Sequence, residues 1–358
     1  MTTFDAVVIG GGPAGATTAL GLARRGRRVV LFEANRLDGP RYGETLPPEI
    51  NPLLRQLGLW DRFARDGHLE SPGIVSVWGA IERHESDFIR NVHGCGWHVD
   101  RNRFDATLLR AATEAGAATF SGTRVVNCQR AGSGLYSLTL RGRGTPGPVG
   151  ATVVVDASGR SGHRLDGPIR FDLDDRLLAI VIRLGYDDPP PDLRTYIEAV
   201  PSGWWYSSPL PGGETMAKFF TDRETYVKEG ADLGAVLEQS PLTRPRFASA
   251  RLLASRVLYA PSALRAPPAG EAHLAVGDSA AAYDPLSGRG IFKALRDGMA
   301  AADAVHEFLD GDSGALATYG ERVRSQFTEY AALRRAYYAQ ETRWPEAGFW
   351  RRRLAERA

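Results

Sequence analysis

The chain has 358 residues, 43% of them hydrophobic, 24% charged and 9% aromatic, and a formal net charge of +2. That length holds a large core or two intertwined domains, and the near-neutral balance implies no polyanion partner such as nucleic acid. Only two cysteines, Cys95 and Cys128, are present, which excludes a disulfide framework and a cysteine-rich metal centre.

The N-terminus, "MTTFDAVVIGGG", lacks the basic flank and apolar run of a signal peptide. No apolar stretch nears the roughly 18 residues of a membrane span, so a soluble, cytoplasmic protein with no membrane partner is expected. Residues 4–34 read as strand, tight turn, helix, strand. Ala6–Ile9 is a short apolar run, and Gly10, Gly12 and Gly15 supply G-x-G-x-x-G where it meets a helix opened by Pro13-Ala14. Gly10 permits the turn, Gly12 lets a pyrophosphate approach the backbone, and Gly15 allows close helix packing. The helix N-terminus faces the phosphates, and Glu33, ending the second strand, is placed to accept from ribose hydroxyls. Together these predict a dinucleotide site.

A loop and helix, "RYGETLPPEINPLLRQLGL", then replace the regular β-α units of an NAD domain. No second G-x-G-x-x-G lies between a strand and a helix, which argues against a reductase holding two dinucleotides. His93, Cys95 and His98 are close in sequence but have no fourth ligand nearby, so no metal site is expected. "WHVDRNRFDATLLRAATEAG" reads as an arginine-bearing turn leading into a helix. "GRGTPGPVG" (142–150) reads as a hairpin-type loop, and "ATVVVDASGRSG" as a buried strand closed by Asp156.

Residues 165–265 show little helical period, and four segments within them read as strands of an antiparallel sheet. Such a sheet would roof the site, with Trp204, Trp205, Tyr206 and Phe219 on its inner face to stack on a flat ring. Residues 73–95 add strands to this roof. "HLAVGDSAAAYDPLSGRGIFKALRDGMAAADAV" gives a strand, the pair Gly277-Asp278, a loop and a helix. The tail reads as helical with a break at Pro345, its aromatics packing onto the body and Arg351–Arg353 lying in solvent.

In this order, these motifs resemble the FAD-dependent monooxygenases and halogenases of the p-hydroxybenzoate-hydroxylase-like fold. The resemblance spans nearly the whole chain. It implies an α/β fold in which a Rossmann-like FAD-binding domain (1–72, 97–164 and 266–312) is interleaved with an antiparallel β-sheet substrate domain (73–96 and 165–265). A C-terminal helical segment (313–358) follows. It implies that FAD contacts Arg41, Arg103 and Asp156, and that Asp278 accepts from a ribityl hydroxyl. Pro285, Gly288, Gly290 and Ile291 would pass the flavin ring, where a helix N-terminus stabilises the charge gained on reduction. "GETLPPEINPLLRQLGL", "GWWYSSPLPGG" and "RWPEAGFWRRR" look most like tryptophan-halogenase-like proteins, especially the flavoproteins of quinone-cofactor maturation that oxidise a tryptophan in a partner protein.

Halogenases of this group need a lysine between the first motif and the arginine-bearing turn, yet residues 1–217 contain none. Their W-x-W-x-I-P motif aligns with residues 204–209, where Tyr206 and Ser208 depart from it. Hydroxylation by a C4a-hydroperoxyflavin is therefore the expected reaction, on an indole or tryptophan-derived substrate, free or peptide-borne. The candidate base is Glu44, with Tyr206 as pocket wall or hydrogen-bond partner and Trp204 and Trp205 binding substrate; His68, His93 and His98 are further candidates for the base. Reductant is NAD(P)H, acting directly or through a separate flavin reductase. A flavin oxidase or dehydrogenase, an FAD-binding assembly factor and a halogenase are the alternatives.

Overall fold

The computed structural model describes residues 2–36, 38–132, 134–142, 145–163, 169–173, 175–189, 191–228 and 232–355. Arg143 and Gly144 of the hairpin-type loop, and the expected domain junction at 164–165, lie outside them. β1 (Thr2–Ile9), α1 (Pro13–Arg24) and β2 (Val29–Glu33) form the expected β-α-β unit. β2 is buried throughout, as a parallel strand covered on both faces must be. β3 (Thr45–Leu46), α2 (Ile50–Gln56), α3 (Trp60–Arg65) and β4 (Leu69–Ser71) fill the intervening loop region. β5 (Gly73–Val77) and β6 (His84–Asp87) belong to a second sheet, and β7 (Gly96–His98) returns to pair with β3 and β4.

Asp100 accepts from the N–H groups of Asn102 and Arg103 and so caps α4 (Arg101–Glu114). β8 (Ala118–Ser121), β9 (Thr123–Arg130), β10 (Tyr136–Gly142) and β11 (Val149–Asp156) return to the first sheet. After β12 (Phe171–Leu173) come β13 (Leu177–Gly185), β14 (Thr195–Val200), β15 (Gly203–Pro209) and β16 (Thr215–Asp222). Three short helices follow that the strand reading of 165–265 lacks: α5 (Arg223–Lys228), α6 (Leu233–Glu238) and α7 (Arg244–Phe247). None spans the two turns over which an amphipathic pattern repeats. Their order comes from packing, with Val236, Leu237 and Phe247 set against Trp205 and Phe219.

β17 (Arg251–Tyr259) closes that region. β18 (Ala263–Arg265), β19 (His273–Ala275) and β20 (Ala281–Ala282) lead to α8 (Gly290–Leu309), α9 (Ala315–Tyr338) and α10 (Gly348–Ala355). Among the described residues, no helix is long and apolar enough to cross a membrane.

The first sheet runs β8-β2-β1-β11-β10-β9, with β19 also pairing with β11; α1, α4 and α8 pack together on one of its faces. The second runs β17-β13-β16-β15-β14-β5-β6 and is antiparallel apart from the β14–β5 pair. The fold is thus α/β, with a Rossmann-like layer interleaved in sequence with a β-sheet roof and closed by C-terminal helices. In the tail, Phe327, Tyr330 and Tyr338 are buried, whereas Tyr337 is half exposed. The solvated arginine cluster expected at 351–353 is corrected: Arg352 and Arg353 both pair with Asp222 at the end of β16. Trp350 Nε1 donates to Val200 O at 2.8 Å, so the tail is pinned against the roof.

Candidate active site

A cavity of about 1190 Å³ lies between the two sheets. Its floor is the first turn. Gly10 has φ +112°, and Gly15 could not carry a side chain, because a Cβ there would lie 2.0 Å from Gly10 O. At Gly12 a Cβ would meet nothing within 4 Å, so bare backbone faces open space. Among the described residues no side chain caps α1, and its N–H donors are left for an anion. The same pattern recurs at the other end: Gly288 and Gly290 face open space, and among the described residues no side chain caps α8.

Gly10, Gly12, Pro13, Ala14, Glu33, Arg41, Asp278, Pro285, Gly288, Gly290 and Ile291 all line this cavity. Glu33 at the end of β2 accepts from Gly11 N at 2.7 Å, which fixes the carboxylate beside the turn. Arg41 bridges Glu33 at 3.4 Å and Asp105 at 2.7 Å. Asp278 is paired with Arg160, 3.2 Å away. Gly277, with φ +66°, packs its backbone against Ala14 and turns the chain so that Asp278 reaches the cavity.

Gly15 and Gly277 act through backbone packing without lining the cavity, and Arg103, Asp156, Trp204 and Trp205 lie elsewhere. Arg103 is mostly exposed and donates to Asp66 O; Arg101, two residues earlier, lines the cavity and bonds Asp105. Two residues turn a helix by about 200°, so the two arginines leave opposite sides of α4. Asp156 is fully buried and spent on structure. It accepts from Ser158 N and His163 N and pairs with Arg265, shaping the loop that follows β11. Trp205 lies on the far face of the roof among Phe219 and Phe247, because successive strand residues point to opposite sides. Trp204 shares the cavity-side face but is fully buried, stacked on Phe220, with Nε1 donating to Tyr338 Oη. Neither tryptophan lines the cavity.

Beneath the roof, Glu44 and Tyr206 do line the cavity, joined by Lys218. Lys218 Nζ lies 2.5 Å from Glu44 Oε2, and Gly43 N donates to Glu44 Oε1 at 2.8 Å. β15 and β16 pair Tyr206 with Lys218, whose ammonium stands 5.2 Å from the phenol ring. Tyr206 Oη donates to Thr45 Oγ1, which bonds His98 Nδ1, and His98 Nε2 meets Leu193 O at 2.8 Å. Only one tautomer satisfies this chain, with Nε2–H donating to the carbonyl and Nδ1 accepting from Thr45.

Burial lowers the His98 pKa to about 4, so the ring is neutral. Burial, reinforced by the Glu44 charge, raises the Tyr206 phenol to about 12, keeping it protonated. With its proton committed to Thr45, Tyr206 Oη presents a lone pair as an acceptor. His93 is exposed, and His68 is packed against Phe63 and Phe104; neither lines the cavity.

Lys218, Arg101, Arg160 and Thr45 were missed as site residues. A buried acid, Asp284, begins the loop that leads to α8, accepting from Leu286 N and Tyr338 Oη. Burial, with the nearby charge of Asp175, pushes its pKa up. The only sequence signal for Lys218 was the scarcity of lysine itself.

A family profile for an FAD binding domain matches residues 3–182, half of the chain. The chain belongs to the FAD binding domain family. Its cofactor is FAD and it is an FAD-dependent oxidoreductase. The flavoprotein is 28% identical to the protein named as FAD-dependent oxidoreductase LodB of Marinomonas mediterranea, over 99% of this chain and 98% of that one. Among solved structures it is similar to the myxobacterial chondrochloren halogenase CndH (TM-score 0.89, 24% identity, 99% of this chain and 86% of that one). It is also similar to QhpG, a peptidyl tryptophan dihydroxylase essential for tryptophylquinone cofactor biogenesis (TM-score 0.80, 24% identity, 98% and 79%). Those two likenesses carry the fold. The residues fit FAD: Gly12, Gly288 and Gly290 leave space at both ends of the cavity, and two uncapped helix N-termini await negative charge.

Proposed function

We propose that the flavoprotein is a monooxygenase that hydroxylates an aromatic ring, the indole of tryptophan or of a tryptophan-derived compound. One atom of O₂ enters the ring and the other leaves as water. Two electrons come from NAD(P)H, directly or through a separate flavin reductase. Reduced FAD, held by the glycines at 10, 12, 288 and 290 and by Glu33, Arg41 and Asp278, supplies the activation of oxygen.

The observation that carries this reading is the Glu44–Lys218 pair beside Tyr206. An indole becomes more nucleophilic as its N–H is drawn toward an acceptor, and two residues able to accept, Tyr206 and Glu44, line the cavity there. Lys218 pairs with that carboxylate in a buried place, and the Thr45–His98 chain holds the phenol in one orientation. Apolar walls from Ala179, Val181 and Phe220 suit a flat ring and exclude water.

A second reading, halogenation, draws support from the same lysine. Lys218 comes from the roof and not from the segment between the first motif and α4, yet its ammonium lines the cavity. One of its N–H groups is bonded to Glu44, which favours hydroxylation. The two are separated by supplying reduced FAD, O₂, bromide and indole substrates. The expected product carries oxygen and no bromine; a brominated product overturns the hydroxylase reading.

A further inference from the structure

The roof has two edges of different character. β6, at one edge, carries His84, Glu85 and Asp87, and Glu85 pairs with Arg194 at 2.6 Å. Charge of that kind blunts an edge against pairing. β17, at the other edge, reads "RLLASRVLY" and contains no proline, lysine or acid. Seven of its residues in a row are exposed, among them Leu252 at 62% and Val257 at 45%, and Tyr259 is 52% exposed. A long edge strand that no described residue covers, apolar but for Arg251, Ser255 and Arg256, is a template for another strand.

The register shows which groups it offers. Among the described residues β17 pairs only with β13, and Ala260 N donates to Leu177 O at 2.9 Å. With a period of two, Arg256 and Leu258 turn their backbone groups toward β13, whereas Val257 and Tyr259 turn theirs outward. The side chains alternate as well. Arg256 faces Val181 and Leu258 faces Ala179, on the cavity side; Val257 faces Ile180, on the far side. The open edge and the cavity are therefore continuous: Arg256, Leu258 and Tyr259 belong to both. Arg256 is exposed and has no ion-pair partner among the described residues, which leaves a positive charge at the mouth.

We propose that β17 accepts an extended segment of a substrate polypeptide as an added strand, with an acidic residue of that segment on Arg256 and a neighbouring aromatic side chain entering the cavity. The proposal rests on the monooxygenase reading and names its substrate as peptide-borne. Main-chain bonds to Val257 and Tyr259 supply affinity, and the alternation of side chains selects the residue that enters.

The probe is a short synthetic peptide with tryptophan between alternating threonine and valine and a glutamate on each side. It is N-methylated at one backbone position at a time, and its affinity for the FAD-loaded protein is measured. Strand addition weakens binding about tenfold at every second position and leaves the positions between unchanged. Val257→Pro removes one outward N–H without touching the β13 ladder, and weakens the unmethylated peptide about tenfold; Val257→Thr and FAD affinity stay as in wild type. The N-methyl series needs no variant, so it decides even if the proline substitution disturbs folding.

Loss spread evenly over the methylated positions overturns the docking. So does a dimer that depends on Val257 while no peptide binds, since a second copy would then be the occupant. Oxygenation of free tryptophan as efficiently as of the peptide, with Val257→Pro silent, removes the docking and retains the monooxygenase. A bound peptide with the alternating pattern and no gain of oxygen retains the docking and removes the monooxygenase.

Discussion

Lys218 Nζ and Glu44 Oε2 lie 2.5 Å apart although 174 residues separate them in the chain. The lysine comes from the roof and the glutamate from the loop beside the first sheet, so this contact ties the two layers together across the cavity. Its neighbours, Tyr206 and Thr45, come from the same two layers and are joined by a hydrogen bond of their own.

Removing one partner of the pair is expected to cost more than removing both. Lys218→Met leaves a carboxylate buried without its counter-ion, a change worth about 3–5 kcal/mol. Lys218→Met/Glu44→Gln is expected to recover most of that stability and none of the turnover. A double-mutant cycle by chemical denaturation checks this. Additivity within about 0.5 kcal/mol would mean that the two residues do not couple.

Two glycines of one motif should fail differently. Gly12→Val places atoms where the cavity is open, so the apoprotein folds with wild-type thermal stability and binds FAD at least about tenfold more weakly, roughly 1.4 kcal/mol. Gly15→Val drives a side chain into Gly10 O and should not yield folded protein. Flavin titration and thermal unfolding of both variants separate these outcomes.

Adjacent residues of β15 should also differ. Trp205→Ala empties a packed site on the far face and is expected to destabilise by about 3–5 kcal/mol. Turnover per folded, flavin-loaded molecule should survive. Tyr206→Phe keeps the packing, and by losing the bond to Thr45 and the acceptor facing the ring it should lower kcat about tenfold or more with FAD affinity unchanged. Steady-state kinetics normalised to bound flavin tests both.

The neutral, buried His98 predicts an acid-side loss of stability. Its pKa is lowered from 6.5 to about 4 in the folded chain. Between those values the unfolded chain binds more protons than the folded one, so stability falls as pH falls through that window. The slope is at most about 1.4 kcal/mol per pH unit, and the effect is constant above it. Urea midpoints at pH 7 and pH 5 should fall more for wild type than for His98→Gln. Equal falls would show that His98 does not contribute.

What was legible in the sequence is what the backbone encodes locally. Gly10, Gly12 and Gly15 specify a turn whose geometry needs no distant partner, and Asp278 and Gly288–Gly290 announce a second such turn. Glu44 was named because its loop lies next to the flavin in the family that the motifs resemble, and it lines the cavity. What escaped was phase. Trp205 and Tyr206 differ by one residue and therefore by one face of a sheet, and Arg101 and Arg103 differ by half a turn of helix. Nothing in either segment says which side meets the cavity until the sheets are stacked. Lys218 escaped for a related reason: its approach to Glu44 depends on the β15–β16 register and on the packing of two layers.

The central claim is that this cavity, with FAD bound, transfers an oxygen atom from O₂ to an indole ring beside Glu44, Lys218 and Tyr206. The most direct measurement is mass spectrometry of products formed under ¹⁸O₂ with reduced FAD, from free tryptophan, indole metabolites and tryptophan-containing peptides. Wild type is expected to give an aromatic product carrying label from the gas and none from H₂¹⁸O, and Glu44→Gln to give far less of it with FAD still bound. Oxidised product without label from O₂, or reaction confined to non-aromatic compounds, would contradict the account and leave a flavin oxidase or dehydrogenase in its place.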